Sequence, residues 1–266
     1  ARGFAERIFA QMLGFGEYGF PESHAHSFAL LAYASAWFKR HEPACFLAAL
    51  LNSQPMGFYT PSQLVQDARR HGVRVLPIDV TVSGWDCTLE GPGAVRLGLC
   101  LVSGLGEPAA RRLEAARALA GFTGTEDLAL RAGLGKPELH ALAAADALRS
   151  LSGHRRQQMW DAAAQLRAPA LLAGAPVNEA PLALPAAPEG EEILFDYAAT
   201  GLTLRRHPLA LLRPRLARLK LQSAQALRDM PHGATVRACG IVTVRQRPGT
   251  AKGTIFVTLE DETGTV

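Results

Sequence analysis

Ser103-Gly104-Leu105-Gly106-Glu107-Pro108-Ala109-Ala110-Arg111-Arg112-Leu113 decides how this chain is read. A weaker copy follows at Ala132-Gly133-Leu134-Gly135-Lys136-Pro137-Glu138-Leu139. Each copy has an apolar lead-in, a Gly-Leu-Gly turn and a proline suited to the first helical residue, where its missing N–H is not needed. The glycines allow a tight turn and a close approach to a partner. The bare N–H groups opening the next helix then face outward, where an anion can accept from them. The spacing predicts two helical hairpins in tandem over roughly 98–153. Ser103, Gly104, Leu105 and Gly106 are the expected phosphate-gripping residues, joined by Gly133, Gly135 and Lys136 of the second copy. A grip on phosphates positions a nucleic acid without reading its bases. The second copy lacks the alanines at 109–110, and a purely structural helical hairpin is the competing reading.

The bulk properties fit such a module. The chain has 266 residues, 48% hydrophobic and 20% charged, enough for two or more small folded domains. A net charge of +4 permits nucleic-acid binding without demonstrating it. The four cysteines are scattered with no C-x-x-C pair, which argues against a zinc site or a disulfide framework and fits reduced cytoplasmic thiols. The longest uncharged run, Ser23 to Phe38, is shorter than the roughly 20 residues of a spanning helix and contains His and Ser, so a buried helix of a soluble protein is expected. The chain lacks an initiator Met and opens on a helical pattern (Phe4, Ile8, Phe9, Met12, Leu13), which reads as a piece of a longer polypeptide.

Outward from the hairpins, residues 14–22 form a Gly- and aromatic-rich loop, and Ser23 is an expected N-cap. A helix then runs to Lys39-Arg40-His41, and Pro43 opens another through about Leu51. Thr60 caps a helix from Pro61 to His71, which Gly72 ends. Short strands are expected over 73–78 and around Gly91-Pro92-Gly93. A helix at 154–167 is expected to carry Met159, Trp160, Ala163 and Leu166 on one side. The Ala-, Pro- and Gly-rich 168–190 reads as a linker. Helical patterns resume at Glu191 and at His207-Pro208. The basic run from Arg205 to Lys220 has no acidic residue and lines either a nucleic-acid path or a solvated helix face. After Gly233 the pattern alternates, which is how a small barrel of the OB type begins. There Arg237, Arg245, Arg247 and Lys252 with Phe256 are candidates for tracking and stacking a single strand. His24, His26 and His41 match no common metal-ligand set, and the adjacent Ser23 and His24 do not face each other on a helix. Glu126-Asp127 and Glu260-Asp261-Glu262 read as cap and turn chemistry.

The block from Tyr18-Gly19-Phe20-Pro21-Glu22-Ser23-His24, through Phe28-Ala29, to Trp37-Phe38-Lys39-Arg40-His41-Glu42-Pro43-Ala44 resembles the C-family bacterial DNA polymerases, the group of the replicative alpha subunit. Glu22 stands where the replicative branch has lysine. With Gln54-Pro55-Met56-Gly57-Phe58-Tyr59, that change makes the chain most similar to the error-prone, damage-induced branch. The resemblance extends over Gly72 to Val80, the hairpins, Thr200-Gly201 and His207-Pro208. It implies a mainly α chain with a partial β-barrel, the C-terminal part of a polymerase. Residues 1–80 would end the fingers, 81–167 form the tandem helix-hairpin-helix domain, 168–190 a linker, 191–232 a helical connector and 233–266 the start of an OB fold. Ser23 and His24 would lie near the nucleotide. The resemblance also implies magnesium on palm aspartates that this chain lacks, so no cofactor is expected here and the segment alone would be inactive. Implied partners are primer–template duplex, single-stranded template, and Y-family-like and RecA-like accessory subunits. Glu191-Glu192-Ile193-Leu194-Phe195 is a poor sliding-clamp motif, so clamp contact would be indirect. An interaction scaffold for accessory subunits is the alternative.

Overall fold

The computed structural model describes residues 3–4, 6–10, 22–57, 59–164, 182–249 and 253–266. The expected loop at 14–21, Leu166, most of the linker (168–181) and Lys252 lie outside the described residues. Helix α1 spans Glu22–His41 and α2 spans Pro43–Asn52. The expected Ser23 cap is corrected: α1 already includes Glu22, so Ser23 lacks the extended backbone that an N-cap requires. Helix α3, Pro61–Arg70, carries a reciprocal cap. The Gln63 N–H donates to Thr60 Oγ1 at 3.3 Å, and the Thr60 N–H donates to Gln63 Oε1 at 3.0 Å.

A small sheet follows. Strand β1 (Arg74–Leu76) pairs in parallel with β3 (Ala94–Arg96), which pairs antiparallel with β2 (Thr88–Leu89). The chain then crosses back over residues 85–87. At the crossing Gly98 lies so close that a Cβ would collide with the backbone of Trp85, Asp86 and Cys87. A 3-10 turn at Leu99–Leu101 leads into the first hairpin.

The hairpin module comprises α4 (Glu107–Leu119), α5 (Thr125–Arg131), α6 (Lys136–Ala144), the short α7 (Arg149–Ser152) and α8 (Arg155–Ala164). Leu51, Val65, Val95, Leu99, Leu113, Leu128, Leu142 and Leu148 are buried in one cluster that runs from α2 and α3 through the sheet into the hairpins. The hairpins therefore share a core with the helices before them. Truncating one such leucine to alanine costs about 2–5 kcal/mol.

Helix α8 corrects a second expectation. Its buried face is Arg155, Gln158 and Ala162, while Trp160 is half exposed. A polar network decides the rotation. The Gln158 amide accepts from Leu148 N–H at 3.1 Å and donates to the Gly153 carbonyl at 2.7 Å. Arg155 donates to the Glu192 carbonyl at 2.8 Å and pairs with Asp196.

Helix α9 (Glu189–Thr200) begins within the last residues of the expected linker. Helices α10 (Pro208–Arg218) and α11 (Ala224–Arg228) lead to a second sheet, β4 (Ile241–Gln246), β5 (Phe256–Asp261) and β6 (Gly264–Thr265), ordered β4-β5-β6 and antiparallel throughout. Among the described residues this sheet is open and no barrel closes. No described helix is long and apolar enough to cross a membrane.

Candidate nucleic-acid interface

In the first hairpin, Val102 and Leu105 plug into the core while Ser103, Gly104 and Gly106 stay exposed. The Leu105 N–H closes the turn on the Val102 carbonyl at 3.2 Å. Gly104 has φ +84°, a backbone that β-branched residues resist. Gly106 is the N-cap of α4, and Pro108 is the second helical residue, one place later than the sequence suggested. Its missing N–H is still one of the four that a helix start leaves unbonded. Among the described residues no hydrogen bond uses the N–H groups of Gly104, Gly106 or Glu107. The Ser103 N–H is taken: it donates to the Ala199 carbonyl of α9 at 2.8 Å.

The second hairpin repeats the backbone and changes the wiring. Gly133 has φ +59°, and the Leu134 N–H bonds the Ala129 carbonyl at 3.0 Å. Here the Gly135 N–H donates to the Glu138 carboxylate at 2.6 Å. Arg112 reaches across from α4, donating to the Ala132 carbonyl at 3.0 Å and to Glu138 Oε1 at 3.0 Å. In return, Gly104 packs toward Ala141 of α6. The second turn is thus held by the helix that follows the first. Lys136 remains exposed at the start of α6.

In the second sheet, Arg245 is opposite Val257 and Gln246 is opposite Phe256. Phe256 is 57% exposed, among exposed Val242, Val244 and Val257. Arg245, on β4, and Arg247, in the turn after β4, are exposed. Arg237 lies before the strand, where its carbonyl accepts from Gln222 N–H at 2.8 Å. The register puts Phe256 on the face of Gln246 and Arg245 on the opposite face with Val257, so the sheet does not gather the expected residues on one face, and Arg237 lies off to one side. At the other end of the chain, Ser23 and His24 sit in the first turn of α1, and the His24 ring meets Phe28 edge-on at 4.4 Å.

Residues 72–158 match the family described as helix-hairpin-helix motif. The whole chain is 62% identical over 276 residues to 26% of the error-prone DNA polymerase of Burkholderia pseudomallei (strain K96243). For the error-prone DNA polymerase of Bordetella parapertussis the identity is 63% over 269 residues, covering 99% of this chain and 26% of that one. For that of Azoarcus sp. (strain BH72) it is 61%, covering 98% and 25%. The chain is a relative of error-prone DNA polymerases from end to end. It spans about a quarter of the length of the curated relatives it matches.

In the basic run after α9, Arg205 and Arg213 are partly buried against acids. Arg205 pairs with Asp146 at 3.0 Å, Glu192 at 2.9 Å and Asp196 at 3.3 Å. Arg206 pairs with Glu189, and its hydrogen bonds hold that carboxyl below the usual range. Arg213 pairs with Asp261 at 3.0 Å and with Glu262, whose carboxyl it likewise lowers. Arg215, Arg218 and Lys220 remain exposed. The acids that pair with Arg205 and Arg213 come from distant sequence. Arg112 and Glu138 are the site residues that the sequence reading missed. Glu138 had a visible signal, its place three residues after the Gly135 cap. Arg112 had none, since its partners lie across the fold.

Proposed function

We propose that this chain is the DNA-holding portion of an error-prone, template-directed DNA polymerase used in damage-induced translesion synthesis. The observation that carries the reading is the first hairpin: an exposed turn with three unbonded N–H groups, in a chain similar throughout to proteins of that name. A duplex phosphate is the natural acceptor for such a turn. Gly104, Gly106 and the exposed Ser103 hydroxyl would hold the backbone, with Lys136 adding charge from the second turn. Single-stranded template would meet Arg245, Arg247 and Phe256, with Arg237 and Lys252 nearby, on what we read as the beginning of an OB fold. Ser23 and His24 would face the nucleotide at the end of the fingers. The magnesium ions and palm aspartates would belong to the rest of the polymerase, as would much of the docking of Y-family-like and RecA-like subunits, with clamp contact through them.

One observation favours a scaffold as second reading. Helix α1 exposes Phe28, Leu30, Leu31 and Tyr33, the last 72% exposed, and such a surface suits a protein neighbour. The discriminating experiment titrates a labelled duplex against the full-length protein across salt concentrations. Phosphate contacts predict that log K falls linearly with log salt, by about 0.9 per phosphate neutralised, with little dependence on sequence. Salt-insensitive or sequence-selective binding would overturn the hairpin reading. Retention of accessory subunits after nuclease treatment, with no duplex binding, would establish the scaffold instead.

A further inference from the structure

The geometry points to a second chemical feature just upstream of the first hairpin: Cys87 and Cys100 form a peroxide-reactive dithiol that closes to a disulfide. The crossing of two backbone segments creates it. Leu99 N–H donates to the Gly84 carbonyl at 2.9 Å, and Cys100 N–H donates to the Trp85 carbonyl at 2.9 Å. Gly98 presses against residues 85–87, and its N–H donates to the Cys87 sulfur at 3.2 Å. Cys87 is clamped from the other side by Asn52, whose amide accepts from the Cys87 N–H at 2.7 Å and donates to its carbonyl at 2.9 Å. Both cysteines are thus fixed within two residues of one contact point, where the two backbone segments cross.

The two sulfurs differ in a way that assigns their roles. Cys87 is buried, while Cys100 is partly open to solvent. The hydrogen bond from Cys87 lowers the Cys100 thiol below its ordinary value, and the same bond together with burial pushes Cys87 up. Cys100 is therefore the attacking thiolate and Cys87 the resolving thiol. With hydrogen peroxide as oxidant, the Cys100 sulfur attacks one oxygen. An S–O bond forms, the O–O bond breaks and hydroxide leaves. Cys87 then attacks the sulfenic sulfur. The S–S bond forms, the S–O bond breaks, and the oxygen departs as water with the Cys87 proton. Two electrons pass from the sulfurs to one peroxide. The link would join the sheet to the 3-10 turn that delivers Ser103 and Gly104.

The test treats the reduced full-length protein with graded hydrogen peroxide, blocks free thiols and maps peptides by mass spectrometry without reduction. The expected product is a peptide pair joined through Cys87 and Cys100, lighter by two hydrogens, formed at lower peroxide than any oxidation of exposed Cys45 and reversed by dithiothreitol. Cys87→Ser should abolish the link and leave a Cys100 sulfenic acid that dimedone traps. Cys100→Ser should abolish both, and Cys45→Ser should leave the link intact. Preferential oxidation of Cys45 with Cys100 unmodified would overturn the proposal, as would Cys100 oxidation without a link to Cys87 in wild-type protein of unchanged circular dichroism.

Discussion

At the first turn the Gly106 N–H has no acceptor among the described residues. At the second, the equivalent Gly135 N–H donates to Glu138. The two turns share their glycines, their proline and their left-handed first glycine. Among the aligned positions at which they differ, Ala109 in the first copy corresponds to Glu138 in the second. Ala109 is buried and leaves the helix start open, whereas Glu138 folds its carboxylate back over that start. An anion site that carries its own anion has little to offer a phosphate. The pair shows that a repeat can keep a motif's shape while only one copy keeps its vacancy.

The largest expected effect tests that division directly. Gly104→Val forces a left-handed backbone that costs about 1–2 kcal/mol and blocks the open turn. Losing charge-assisted hydrogen bonds worth about 1.5–3 kcal/mol should weaken duplex binding by about tenfold or more in an anisotropy titration. Gly133→Val carries comparable strain but should change affinity by less than about threefold. Equal losses from the two variants would erase the distinction. Next comes Arg112→Ala, which removes the side-chain donor to the Ala132 carbonyl and the partner of Glu138 Oε1. Urea unfolding should show a loss of about 1–2 kcal/mol, with duplex affinity of the folded protein nearly unchanged. The smallest effect belongs to Glu138→Ala, which gives the second turn the residue found in the first. Stability should fall by about 0.5–1 kcal/mol for the lost cap. Duplex affinity at low salt should rise about threefold as Lys136 and the freed Gly135 N–H face phosphate without a competing carboxylate. An unchanged affinity would mean that the second turn never meets DNA.

The local features of this chain were legible in advance because their causes are local. The reciprocal cap at Thr60, the Gly72 stop, the His207-Pro208 helix start and both glycine turns each follow from a few adjacent residues. Ser23 was misjudged because the helix already includes Glu22. The face of α8 was misjudged because hydrophobic periodicity ranks Met159 and Trp160 above Gln158, while Gln158 and Arg155 have buried partners supplied by Asp146, Glu192 and Asp196. The acidic partners of Arg205 and Arg213 were hidden for the same reason. Of the candidate site, the turns could be found from spacing, but which of them is open depended on where one carboxylate folds.

The acids that absorb the basic run have a mechanical consequence. Arg155 and Arg205 fasten α9 and the strand-like segment after it to the hairpin module through Asp146, Glu192 and Asp196. Arg213, farther along the same stretch, fastens α10 to the hairpin between β5 and β6. The Ser103 N–H is anchored to the far end of α9. A load applied at the second sheet would therefore be delivered along one continuous stretch of chain to the first glycine turn.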